Sequence, residues 1–164
     1  MPAAEHSAEP VLRRYFTYRL NTLSKLNNLA SQAMYRAACG LSLAETRCLA
    51  AVGSFPQITV TRLALETNLD KTQASRTAYA LVARGFMQRS KVVRAADKVD
   101  ARSVGLSLTV AGKALFGKVM AAIERRNQDL MKCLDEREQA LLLEFFDRML
   151  QHSAPCGGPV AAHA

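Results

Sequence analysis

The segment from residue 59 to residue 109 constrains the fold more than any other part of the chain. Near its start, at residues 61–68, lies TRLALETN, a short helical stretch with Leu63 and Ala64, and Leu69 just beyond, turned inward. LDKTQASRTAYALVARGF follows over residues 69–86, where Asp70 and Gln73 have the spacing of a capping box and predict a new helix start. With about 100° of turn per residue, Ala74, Ala78, Leu81 and Val82 share one face, which must be core. The opposite face carries Thr72, Gln73, Arg76 and Tyr79, with Lys71 and Ser75 on its flank. Polar side chains thus crowd the first two turns, and small alanines follow them.

After Gly85, two strands are expected, MQRS and SVGLSLT. In the second, Val104, Leu106 and Leu108 alternate with Ser103, Gly105 and Ser107. Between them lies KVVRAADKVDAR, basic at Lys91, Arg94, Lys98 and Arg102, with Asp97 and Asp100 interspersed. Two helices joined by a tight turn and followed at once by a charged hairpin make a winged helix-turn-helix. In that arrangement the second helix enters the DNA major groove by its N-terminal residues. Arg76 could take guanine bidentately and Gln73 adenine, while Thr72 and Ser75 could contact bases or phosphate. The wing would reach the flanking backbone or minor groove through Lys91, Arg94, Lys98 and Arg102. Asp100 is read as bracing the wing, since an aspartate repels phosphate.

Charge supports this reading. The net +8 divides into +3 over residues 1–58, +5 over 59–109 and 0 over 110–164. The excess lies where the DNA-reading unit is expected, and a local basic patch attracts polyanions.

The rest of the chain is helical. From Pro10 to about Ala38, Leu12, Phe16, Leu20, Leu23, Leu26, Ala30 and Met34 recur at helical spacing, and Gly40 stops the run. LSLAETRCLAAVGSF follows, capped near Ser42 and broken by Gly53 to Pro56. QITV is a short strand. Thr109 caps TVAGKALFGKVMAAIERRNQDLMKCL, and Asp135 with Glu138 makes another capping box for a last helix. That helix has a wide apolar stripe of Leu141, Leu142, Phe145, Phe146, Met149 and Leu150. The expected fold class is therefore mainly α with a small β wing. Residues 41–109 form the winged helix; 11–40 and 110–152 form dimerisation helices, because a winged helix does not need them to fold. Residues 1–10 are read as flexible and 153–164 as a disordered tail. A homodimer would set two reading helices roughly 34 Å apart, one DNA turn, on a palindrome.

Other functions find little support. There is no Gly-rich phosphate loop, no G-x-S-x-G and no histidine near a nucleophile, so an enzyme is not expected. The four cysteines, Cys39, Cys48, Cys133 and Cys156, form no C-x-x-C pair, and all three histidines lie near the chain ends. Neither a metal site nor a cofactor is expected. No apolar run approaches the roughly 18 residues that cross a membrane, and MPAAEHSAEPVLRRYF lacks the pattern of a secretory leader. A cytoplasmic, nucleoid-associated protein of a bacterium is the expectation. Two alternatives stand beside it: a winged helix whose basic face docks an acidic protein, and a regulator that senses thiol oxidation.

With these elements placed, the chain resembles the MarR family of bacterial transcription regulators over roughly residues 11–152. The resemblance rests on GLSLAETRCLAAV, on VTRLALETNLDKTQASRTAYALVARGF and on DARSVGLSLTVAG. The last matches the family's D-x-R wing and L-x-L-T-x-x-G at Asp100, Arg102, Leu106, Leu108, Thr109 and Gly112; Ala101 stands where the family often has arginine. The resemblance implies a homodimer whose terminal helices interlock. It also implies a small effector, an aromatic carboxylate or phenol, bound where the dimer layer meets the winged helix and releasing DNA. By position, Arg19, Lys25, Asn28, Thr46 and Arg47 would line that pocket. Family members that sense peroxide use a cysteine early in the first helix, whereas the first cysteine here is Cys39, at that helix's end. The first two helices also look somewhat like the branch controlling nicotinate and aromatic-acid breakdown.

Overall fold

The computed structural model describes residues 10–91 and 104–153. Its elements are α1 (Val11–Arg14), α2 (Phe16–Cys39), α3 (Leu43–Ser54), β1 (Ile58–Thr59), α4 (Val60–Thr67), α5 (Lys71–Ala83), β2 (Met87–Lys91), β3 (Val104–Leu108), α6 (Val110–Met131) and α7 (Glu136–Ser153). The chain divides into two compact units, one ending at Glu124 and one beginning at Arg125. The expectations for residues 1–9, for the wing at Arg94, Lys98, Asp100 and Arg102, and for the tail from residue 154 lie outside the described residues.

The first unit is built around α3. Ser42 accepts the Glu45 amide through its hydroxyl at 3.2 Å, and the Glu45 carboxylate accepts the Ser42 amide at 2.8 Å, so both halves of a capping box are made. Cys48, Leu49 and Val52 on α3 are buried with Leu63 of α4, Ala74, Ala78 and Leu81 of α5, Met87 of β2 and Leu106 of β3. This is the core that the apolar spacing of each segment predicts. The sheet is antiparallel in the order β1-β3-β2, with Ile58 opposite Leu106 and Arg89 opposite Leu106 on its other edge. Thr109 ties the sheet to the next helix. Its hydroxyl donates to the Gly85 carbonyl at 2.6 Å and accepts the Gly112 amide at 3.0 Å, capping α6.

Two local expectations need correction, and one residue has a role beyond the expected one. The helix from Pro10 is not continuous: Tyr15 is extended (φ −76°, ψ 135°) and separates α1 from α2. The Arg19 guanidinium donates to the Arg13 carbonyl at 2.8 Å, occupying an acceptor that the break releases. The break expected from Gly53 to Pro56 falls after Ser54, and Gly53 itself has a further role. It lies inside α3, and a Cβ there would run into the Phe116 ring, so the glycine is a packing contact. Finally, the capping box at α5 is half made: Asp70 accepts the Gln73 amide at 2.8 Å, while the Gln73 side chain stays exposed.

In the second unit, the Asp135 and Glu138 box is complete, with both bonds at 2.9 Å. The Gln139 side-chain amide donates to the carbonyls of Met131 and Leu134 at 3.2 and 2.9 Å, closing the end of α6. No residue of α7 is buried, and Leu141, Leu143, Phe145, Met149 and Leu150 are exposed. Among the described residues no helix is long and apolar enough to cross a membrane.

Candidate nucleic-acid interface and effector cavity

The interface begins with the turn between α4 and α5. Thr59 caps α4, Asn68 ends it in the left-handed conformation (φ 53°), and Asp70 caps α5 two residues later. The turn is short because both ends are satisfied locally. Ala74 and Ala78, with at most a methyl group between helix and core, seat α5 closely on α3 and α4. Burial of that face leaves Lys71, Thr72, Gln73 and Arg76 in solvent, with Ser75 half-buried. Tyr79 continues the exposed face at 63% exposure. These are the residues that sequence spacing brings together, and the structure presents them on one side of one helix. Lys91 pairs through its backbone with Val104 at the outer end of the hairpin.

Two arginines escaped the sequence reading. Arg89 on β2 places its guanidinium 5.5 Å from the Tyr79 ring centre and donates to the Tyr79 hydroxyl at 3.3 Å. Alternation along β2 could have pointed to it, since Arg89 shares the inward face with buried Met87. Arg84, at the end of α5, donates to Glu45 Oε1 at 2.7 Å and reaches the Gly40 carbonyl at 3.4 Å. Its partner is far away in sequence, and no local pattern reveals it. Burial pushes the Glu45 carboxyl up, but the Ser42 amide and hydroxyl and the Arg84 guanidinium outweigh it and hold the group below the usual glutamate range.

The residues expected at the effector pocket separate into groups. Lys25 and Asn28 line an open cavity of about 490 Å³ together with Asn21, Ser24, Leu29, Gln32 and Leu43. Arg47 donates to Asn28 Oδ1 at 2.7 Å, and it also borders a second cavity of about 300 Å³ with Phe55, Glu66, Met120 and Ile123. Thr46 is fully buried and donates to the Ser42 carbonyl at 2.9 Å, so its hydroxyl serves the helix rather than a cavity wall. Arg19 is held against the Arg13 carbonyl and borders neither of these cavities.

Cys48 lies in the core, Cys39 packs against it and Cys133 is exposed. Cys48 is buried at the centre of α3, and burial together with the Glu45 charge pushes its pKa up to about 12. Burial raises Cys39 as well, against the opposing pull of Lys118. Burial thus disfavours the thiolate at both positions.

A short helix, a tight turn, a polar-faced second helix and an antiparallel hairpin define a winged helix-turn-helix protein. Residues 40–103 match the model of the MarR family. The family is one of transcription regulators, not of enzymes. No protein of curated function matches. Among solved structures, a MarR family transcriptional regulator from Silicibacter pomeroyi is similar at 23% identity, with 87% of this chain and 92% of that one covered and a TM-score of 0.72. PcaV of Streptomyces coelicolor, solved with its natural ligand, is 19% identical, with 90% and 99% covered and a TM-score of 0.69. A Mycobacterium tuberculosis MarR family protein in complex with p-aminosalicylic acid is 19% identical, with 82% and 98% covered and a TM-score of 0.66. At these identities the likeness is one of fold.

Proposed function

We propose that the chain is a sequence-specific transcription repressor that binds a pseudo-palindromic operator as a homodimer and is released by a small aromatic acid. The observation that carries this reading is the exposed opening of α5. Lys71, Thr72, Gln73 and Arg76 stand in solvent on a helix whose other face is fully seated. Gln73 and Arg76 read base edges, and Lys71, Thr72 and Ser75 contact bases or phosphate. Lys91, Arg94, Lys98 and Arg102 of the wing hold the flanking backbone, with Asp100 bracing them.

The homodimer is supported by uncovered apolar side chains on the terminal helices. Leu12, Phe16, Leu23, Leu26 and Leu29 are exposed on α1 and α2, and Leu141, Phe145 and Leu150 on α7. So much exposed apolar surface marks an interface. The effector reading is supported by the cavity of about 490 Å³, with Lys25 as a cation for a carboxylate and Asn28 as a hydrogen-bond partner. Two of the similar structures hold small ligands, p-aminosalicylic acid in one. Release requires that the acid prefer one arrangement of the reading helices over the other. Such a protein works in the bacterial cytoplasm, at the nucleoid.

Selection from a random duplex library tests the reading. The account expects enrichment of an inverted repeat with half-sites about one helical turn apart. It also expects that the same selection run with an excess of benzoate or salicylate loses that enrichment. Recovery of unrelated sequences in both arms would contradict it.

A further inference from the structure

Arg89 lies outside the reading surface expected from the sequence, yet it is fixed to that surface. It stands on the inward face of β2 with Met87, opposite Leu106 of β3, and its guanidinium leaves the sheet rim to lie over the Tyr79 ring. Ser75, Ala78 and Val82 of α5 and Leu106 of β3 form the floor of the small crevice between Tyr79 and Arg89. The contact therefore joins the base of the wing to the third turn of the reading helix.

The partner's chemistry matters. Arg62 is paired with the Glu66 carboxylate at 3.2 Å and Arg84 with Glu45 at 2.7 Å, so each of those charges is balanced within the chain. Arg89 is held instead by a neutral phenol, through the ring face and one hydrogen bond. Stacking fixes a guanidinium while leaving its charge and most of its five donors available. Both side chains are exposed, so the remaining donors face solvent. A full positive charge with reduced freedom, set between reading helix and wing, suits a phosphate group.

We propose that Arg89 is a DNA-backbone contact of this interface and that Tyr79 positions it rather than reading a base. The inference rests on the DNA-binding reading above and adds one anchor and one role to it.

The test is fluorescence-anisotropy titration of the full chain against a duplex that wild-type protein selects from a random library, beside a scrambled duplex, over a range of salt. Arg89→Ala is expected to weaken binding to both duplexes about fivefold at 0.15 M salt and to flatten the slope of log K against log salt by about one. Tyr79→Ala is expected to weaken both duplexes too, and adding Arg89→Ala to it should cost less than in the wild type. Tyr79→Phe keeps the ring and most of the affinity. Arg89→Lys keeps the charge and the slope but loses the planar stack. Thermal melting confirms that each variant is folded.

Unchanged affinity and slope in Arg89→Ala would overturn the proposal while leaving the DNA-binding reading intact. So would a Tyr79→Ala variant that relaxes preference at one base pair, because Tyr79 would then read sequence itself. If the wild type prefers no duplex at all, the functional reading falls and this inference falls with it.

Discussion

Arg84 and Glu45 are 39 positions apart and meet at 2.7 Å, which fastens the end of α5 to the first turn of α3. Glu45 also closes the Ser42 capping box, and Leu43 beside it lines the larger cavity. One carboxylate thus serves a helix start and an inter-helix contact at the edge of the candidate effector cavity.

That arrangement has a pH signature. The folded-state pKa of Glu45 is lowered, so its ionised form stabilises the fold above the ordinary glutamate range and the contribution is lost as pH falls through the folded value. Glu45→Gln keeps an amide able to cap but removes the charge. Arg84 is 40% exposed, so solvent screens the pair and the expected cost is about 0.5–1 kcal/mol at pH 7. Between pH 7 and pH 3 the difference from wild type should shrink. Urea unfolding at the two pH values checks this, and an equal loss at both would remove the charge from the account.

Two glycines of α6 should respond in opposite directions. A Cβ on Gly112 would meet the Phe86 carbonyl, a backbone atom that cannot swing aside, whereas nothing lies near Gly117. Gly112→Ala is expected to destabilise by about 1–3 kcal/mol. Gly117→Ala is expected to stabilise by about 0.5–1 kcal/mol through helix propensity. Thermal denaturation separates them. A neutral Gly112→Ala would show that the approach of α6 to residue 86 is looser than described.

The cysteines give a labelling prediction. With its thiol pushed up to about 12 and no exposed surface, Cys48 should resist iodoacetamide at pH 8 until the chain unfolds, while exposed Cys133 reacts in the native state. Mass spectrometry of the labelled peptides reads this out. Equal rates at the two positions would show that the core around Cys48 is more open than described.

Much of this was legible in the sequence, and the parts that were not share a cause. Local hydrogen bonding wrote the caps at Ser42, Thr109 and Asp135, and apolar periodicity wrote the buried faces of α3 and α5, so both could be read from spacing. The break at Tyr15 was hidden because Leu12 and Phe16 keep helical spacing across it. The role of Gly53 depends on Phe116, far away in the chain, and glycine alone reads as a breaker. Thr46 is placed at the pocket by the position that the family resemblance implies, and its hydroxyl is satisfied by its own helix. Arg84 finds its partner 39 positions away across elements, and no window of neighbouring residues contains such a pairing.

The effector cavity gives its own prediction. If Lys25 faces a carboxylate, Lys25→Met should raise the concentration of salicylate needed for half-release of DNA about tenfold, a loss of roughly 1.4 kcal/mol, without altering DNA affinity in its absence. An unchanged midpoint would move the effector elsewhere, with the second cavity beside Arg47 the next candidate.

The most direct test of the central claim is an anisotropy titration of the chain and its Arg76→Ala variant against its own upstream intergenic DNA and a scrambled duplex at 0.15 M salt. The account predicts tight binding of wild type to the upstream DNA alone, with Arg76→Ala losing about 1–3 kcal/mol there and discriminating less at one base position. Equal, weak binding of both proteins to both duplexes would contradict it and would leave the basic face to an acidic protein partner.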